Sequence, residues 1–187
     1  RRYPVKLIAS LRTMAIALVT GNFFQTAGVQ PIHGRAFLPE EDRAPGRNPV
    51  VILGFTLWQR SFAANPAIVG KQVVLNKHTF TVVGIAPEGF RGTFLGVMPE
   101  LFVPTMMQQV AMPGPDMLSI RGDHWVDVIA RLKPGTTMEQ ARQAMSAFAR
   151  QHPESYGKNP EESTISVQPV ADVHPMMRTG VLTFVAA

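Results

Sequence analysis

Sixteen prolines and fifteen glycines interrupt this chain of 187 residues so often that long regular elements cannot persist. Proline removes a backbone donor and fixes φ, while glycine frees the backbone, so both punctuate helices and strands. The chain is therefore expected to build short strands and short helices joined by turns, not a helical bundle. Its composition, 45% hydrophobic and 17% charged, is that of a globular protein with a core. Its length suits one medium domain or two small lobes sharing a core.

Read along the chain, Val5 to Ala9 and Ala15 to Thr20 form buried strands, although Ala15-Ile16-Ala17-Leu18 also admits a helix. Gly21-Asn22 opens a helical turn carrying Phe23 and Phe24, which Gly28 closes. Gly34 to Asn48 reads as a charged loop, and Pro49 to Leu53 as a strand. Phe55, Trp58 and Phe62 recur at helical spacing up to Asn65-Pro66. Gln72 to Leu75 and His78 to Ile85 predict a β-hairpin turning at Asn76-Lys77. Leu101 to Val103 predicts a further strand, followed by a Met-rich turn. Trp125 to Leu132 alternates like a strand, and Thr137 with Gln140 forms a capping box. The helix beyond it buries a stripe of Met138, Ala141, Ala144, Met145 and Phe148, and the strand Thr164 to Val170 completes a β-α-β unit. Two lobes are expected: the early strands with the late β-α-β unit, and a β-rich insertion between them. The apolar run Val181 to Ala187 reads either as an ordinary terminal element or as the start of a longer hydrophobic segment.

Candidate chemistry is sparse. With no Cys, disulfides, thiolate zinc sites and cysteine nucleophiles are excluded. His33, His78, His124, His152 and His174 never fall at i, i+3 or i, i+4, so no metal site is expected. Glu40-Glu41-Asp42 could supply oxygen ligands or an acid–base pair, but Arg35, Arg43 and Arg47 nearby favour ion pairing. Glu88 beside Arg91, and Asp116 to Asp123 around Arg121, invite the same reading. No serine stands in a GxSxG or SxxK context, and no glycine pattern marks a nucleotide site, so neither a catalytic residue nor a cofactor is expected. The net charge of +5 and pI near 10.1 raise nucleic acid as a partner, yet the basic residues are scattered singly and form no stripe. The pairs Met106-Met107 and Met176-Met177 fit either core filling or an adaptable surface. Phe90, Arg91, Phe94 and Leu95 lie on a Gly-rich loop, where the apolar groups either plug the core or form a partner-contact patch.

A set of short blocks, in fixed order, carries a resemblance. They are Thr20-Gly21-Asn22-Phe23-Phe24, Gly34-Arg35-Ala36-Phe37, Glu41-Asp42-Arg43, Leu57-Trp58-Gln59-Arg60-Ser61-Phe62, Val82-Val83-Gly84-Ile85-Ala86-Pro87 and Arg131-Leu132-Lys133-Pro134-Gly135. Across residues 20 to 154 they resemble the MacB-like periplasmic core domain of bacterial ABC-transporter permeases, nearest the acidobacterial duplicated orphan permeases. One departure is Asn76-Lys77, where the family usually turns through Asn-Gly; Lys77 should be strained or sit in another turn type.

The resemblance implies an α+β fold. A porter-like βαβ lobe comprises residues 1–35 and 121–175, an inserted β-rich lobe 36–120, and 176–187 starts a segment leading to a transmembrane helix. It also implies a non-catalytic domain in the periplasm, attached to the inner membrane by its own permease helices. ATP would be hydrolysed on a separate ATPase domain or subunit. The implied role is mechanotransmission, coupling transmembrane motion to substrate export or to a periplasmic adaptor or carrier protein, with dimerisation only in the full transporter. Two other jobs fit the same fold: an FtsX-like regulator of a cell-wall hydrolase, and a lipoprotein-release permease domain that docks a carrier.

Overall fold

The computed structural model describes residues 6–7, 14–92, 98–112, 114–120, 125–152, 165–169 and 181–186. The chain divides into two compact units, Arg1–Leu118 and Ser119–Ala187.

The first unit is built on a mixed sheet. Its strands are β1 (Lys6–Leu7), β2 (Ile16–Val19), β3 (His33–Gly34), β4 (Val50–Leu53), β5 (Gln72–Leu75), β6 (His78–Ile85) and β7 (Leu101–Pro104). They lie in the order β1-β5-β6-β4-β7-β2, with β3 pairing to β6. β4 is a run of β-branched and aliphatic residues because it is central, parallel to β6 and antiparallel to β7. β5 and β6 form the expected hairpin, and Asn76 and Lys77 both take positive φ, +48° and +66°. That is the type I′ geometry, held despite a lysine where glycine is easier, a strain of about 1 kcal/mol. Asn76 contributes to it by donating Nδ2 to the Ala111 carbonyl.

Helices close the core around this sheet. α1 (Phe23–Ala27) stops at Gly28, which turns left-handed at φ +72°. α2 (Phe55–Phe62) buries Leu57, Trp58 and Phe62 against Val51, Leu53, Val73, Phe80 and Val82. It starts at Gly54, where a Cβ would stand 2.6 Å from the Pro99 carbonyl oxygen, so only glycine lets the helix begin so close to that strand. α2 ends at Phe62, before Asn65-Pro66, because Ala63 and Ala64 turn left-handed at φ +50° and +52°. α3 (Gln108–Ala111) continues from a single 3₁₀ turn, Thr105–Met107.

The second unit holds β8 (Val128–Arg131), α4 (Met138–Gln151), β9 (Ile165–Pro169) and β10 (Val181–Ala186). β10 lies between β8 and β9 and runs antiparallel to both, so β8 and β9 are parallel and joined through α4. This is a split β-α-β arrangement. The apolar run at 181–186 is thus the middle strand of a sheet. The capping box is present: Gln140 N–H donates to Thr137 Oγ1 at 3.1 Å and Thr137 N–H to Gln140 Oε1 at 2.8 Å. The buried stripe of α4 is narrower than its sequence implies. Ala141 is buried with Val167, and Met138 and Met145 pack partly against them, but Ala144 and Phe148 are exposed. One helix over a three-stranded sheet cannot cover every apolar position on its flank.

Candidate functional site

The acidic cluster is the most organised polar feature among the described residues, and its work is structural. Glu40, Glu41 and Asp42 occupy a 3₁₀ turn, Pro39–Asp42, whose N-terminal amides attract carboxylates. Arg35 grips Glu41 with both guanidinium arms, Nη1 to Oε2 at 2.8 Å and Nη2 to Oε1 at 2.7 Å. The Leu38 N–H also donates to Glu41 Oε2 at 2.8 Å. Burial pushes the Glu41 carboxyl up, but the Arg35 hydrogen bonds, the Leu38 amide and the Arg35 charge together outweigh it and hold the group below its ordinary value. The Glu41 hydrogen bonds raise Arg35 above its ordinary value despite its own partial burial.

Asp42 reaches further. Its Oδ2 accepts from Gly21 N–H at 3.1 Å and its Oδ1 from Met106 N–H at 2.9 Å. Gly46 N–H donates to the Met106 carbonyl at 2.8 Å. One aspartate therefore ties the turn before α1, the charged loop and the turn after β7 to one another. Glu40 is exposed, and its carbonyl accepts from Asn48 Nδ2 at 3.1 Å. The cluster is neither a ligand set nor an acid–base pair, since the Glu41 and Asp42 oxygens are already occupied.

A pH dependence follows. A carboxyl whose folded pKa is lowered adds stability that is fully present above its unfolded value near 4.5. That contribution fades as pH falls through the lower folded value. Because the Arg35 side chain is 43% exposed, Glu41→Gln should cost the first unit only about 1 kcal/mol at pH 7, and progressively less as pH falls below 4.5, read by urea titration across that range. A loss that does not shrink with falling pH would refute the ion-pair account.

The other expected site residues are scattered. His33 packs its ring on Trp58 at 5.4 Å, His78 is exposed at the start of β6, and His152 lies at the end of α4 against Phe148 at 4.5 Å. His124 and His174 lie outside the described residues, as do Arg121, Asp123, Met176 and Met177. Among the described residues no group of three metal-ligating side chains stands together. Glu88 and Arg91 are both exposed; ion pairs among the described residues include Arg35–Glu41, Arg60–Glu100 and Glu139–Arg142. Met107 is core, Met106 is half-buried, and Met98 and Met112 are exposed.

On the Gly-rich loop, Phe90 is only 4% exposed and takes the core-plugging role. Its ring lies 5.5 Å from Phe24, 5.5 Å from Phe102 and 6.2 Å from Phe23. Arg91 beside it is exposed. Phe94 and Leu95 lie outside the described residues.

Sequence reasoning missed the buried amide of Gln108. Its Nε2 donates to the Met112 and Pro115 carbonyls at 3.3 and 3.2 Å, and its Oε1 accepts from Met117 N–H at 3.1 Å. Nothing in the local pattern marks a glutamine as buried.

A mixed sheet closed by short helices is an architecture that carries many functions, so the fold alone assigns none. The fold is shared with the periplasmic region of MacB from Actinobacillus actinomycetemcomitans, at a TM-score of 0.50 and 16% identity over 73% of this chain and 55% of that one. A domain of a protein assigned as a permease from Porphyromonas gingivalis is similar at a TM-score of 0.41 and 15% identity, over 91% of this chain and 60% of that one. The match thus spans 55% and 60% of those structures. No curated protein matches the chain. The family model of the MacB-like periplasmic core domain matches residues 4–148, and the chain belongs to that family.

Proposed function

We propose that the chain is the extracytoplasmic domain of an ABC-transporter permease of the bacterial inner membrane. It passes ATP-driven motion of the transmembrane helices to substrate export or to a periplasmic partner, while the ATPase sits on a separate domain or subunit. Family membership across residues 4–148 carries this reading. Physical support comes from the way the first unit is fastened. Transmitting a push requires a body that moves as a whole, and Asp42 binds Gly21 and Met106, far apart in sequence, at a single point.

These 187 residues hold no Cys, so a label can be placed in this domain without removing a cysteine of its own. Thr79, which is exposed, is replaced by Cys in the full permease assembled with its ATPase in nanodiscs, and a spin label is attached in each copy of the permease. The distance between labels should change by on the order of 5 Å between nucleotide-free and ATP-trapped states. An unchanged distance in a transporter that still turns over would refute mechanotransmission through this domain.

A further inference from the structure

The last stretch of the first unit is held in two different ways. α3 and the 3₁₀ turn before it are anchored in the core, where Met107 and Ala111 are buried. They are also tied from outside: Asp42 Oδ1 accepts from Met106 N–H at 2.9 Å, and Asn76 Nδ2 donates to the Ala111 carbonyl. Past Ala111 the character changes. The described residues from Met112 to Leu118 are exposed or half-buried, and none of them joins a strand.

Three side-chain hydrogen bonds link this strap to α3, and all three end on one amide. Gln108 Nε2 donates to the Met112 and Pro115 carbonyls, and Oε1 accepts from Met117 N–H. Bonds that share one side chain stand or fall with its rotamer, so they open together. The strap then has two arrangements, bound and released, with no buried apolar group of its own to favour the first. We infer that Gln108 is a latch: the strap leaves α3 as a unit while the sheet of the first unit stays folded. Release frees the seven residues 112–118, or up to roughly 20 Å of extended chain, just ahead of Ser119, where the second unit begins. The consequence rests on the function proposed above. A latched strap hands a pull on the connection straight to α3, whereas a released one absorbs the first part of it as slack.

Hydrogen exchange of single amides, followed by NMR on the 187-residue chain, tests the latch. Met117 N–H should be protected only about 30- to 150-fold and should keep that value in low urea, because local opening exposes little surface. Val82 N–H, bonded to the Lys71 carbonyl at 2.9 Å, belongs to a fully buried residue of β6. It should be protected at least about a hundredfold more strongly, and that protection should fall steeply with urea. Gln108→Leu should abolish protection at Met117 while Val82 stays protected; the wild-type comparison stands even if this variant does not fold. Equal protection and equal urea dependence at Met117 and Val82 would join the strap to the sheet's own cooperative unit and overturn the latch. So would a Met117 amide that exchanges at the unprotected rate. Either result counts against the latch alone, since transmission is judged separately by the Thr79 labels.

Discussion

Phe90→Ala should lower the stability of the first unit by about 3–5 kcal/mol, the cost of deleting a buried aromatic ring and leaving a cavity. The ring sits 4% exposed among Phe23, Phe24 and Phe102, and the neighbouring Phe37 packs edge-on to Phe24 at 6.1 Å. Removing it unseats the junction of α1, β7 and the loop after β6 at once. Trp58, 6% exposed in the core of the same unit, reports the unfolding by fluorescence once Trp125 is changed to Phe. Phe90→Leu retains most of the apolar volume and should cost roughly 1–1.5 kcal/mol. If both variants unfold at the parental urea midpoint, Phe90 is a surface contact after all.

Gln108→Leu should cost about 2–3 kcal/mol, although leucine is apolar, of similar size and enters a site only 1% exposed. Hydrophobicity argues for stabilisation, and the hydrogen bonds argue against it. The substitution strands two carbonyls and one amide in the segment 112–117, and these part-buried bonds, once unmade, outweigh the added apolar area. Gln108→Glu should cost at least as much, because its carboxylate would face the Met112 and Pro115 carbonyl oxygens. Urea titrations followed by Trp58 separate these outcomes, and a midpoint raised by Gln108→Leu would reverse the reading.

What was legible in the sequence was local. Alternation and a two-residue turn place the hairpin at 72–85, helical spacing places α2, and Thr137 with Gln140 places the start of α4. These signals act over a few residues and need no knowledge of partners. What was not legible depended on distant contacts. β2 pairs with β7 through Ile16 and Leu101, a partnership that no periodicity announces. Phe148 continues the apolar spacing of α4 yet stays 48% exposed, because coverage depends on the width of the sheet beneath. Phe90 shows the converse: on a Gly-rich loop, sequence leaves plug and patch equally open, and only the surrounding rings decide. The acidic cluster read correctly as ion pairing at Glu41, but the bridging by Asp42 depends on two amides 21 residues upstream and 64 downstream.

The position of β10 also sets a timetable for synthesis. Among the described residues β8 and β9 do not pair with each other; each pairs in the sheet with β10, which ends at Ala186. At translation speeds of about 5–20 residues per second, the stretch between Arg131 and Val181 takes roughly 3–10 s to make. Throughout that interval β8 lacks the strand β10 with which it pairs, and α4 has its capping box but not the sheet that β10 completes, marginal support for a 14-residue helix. The nascent second unit therefore remains a target for proteases and chaperones until its central strand arrives, while the first unit, complete by Leu118, can already have folded.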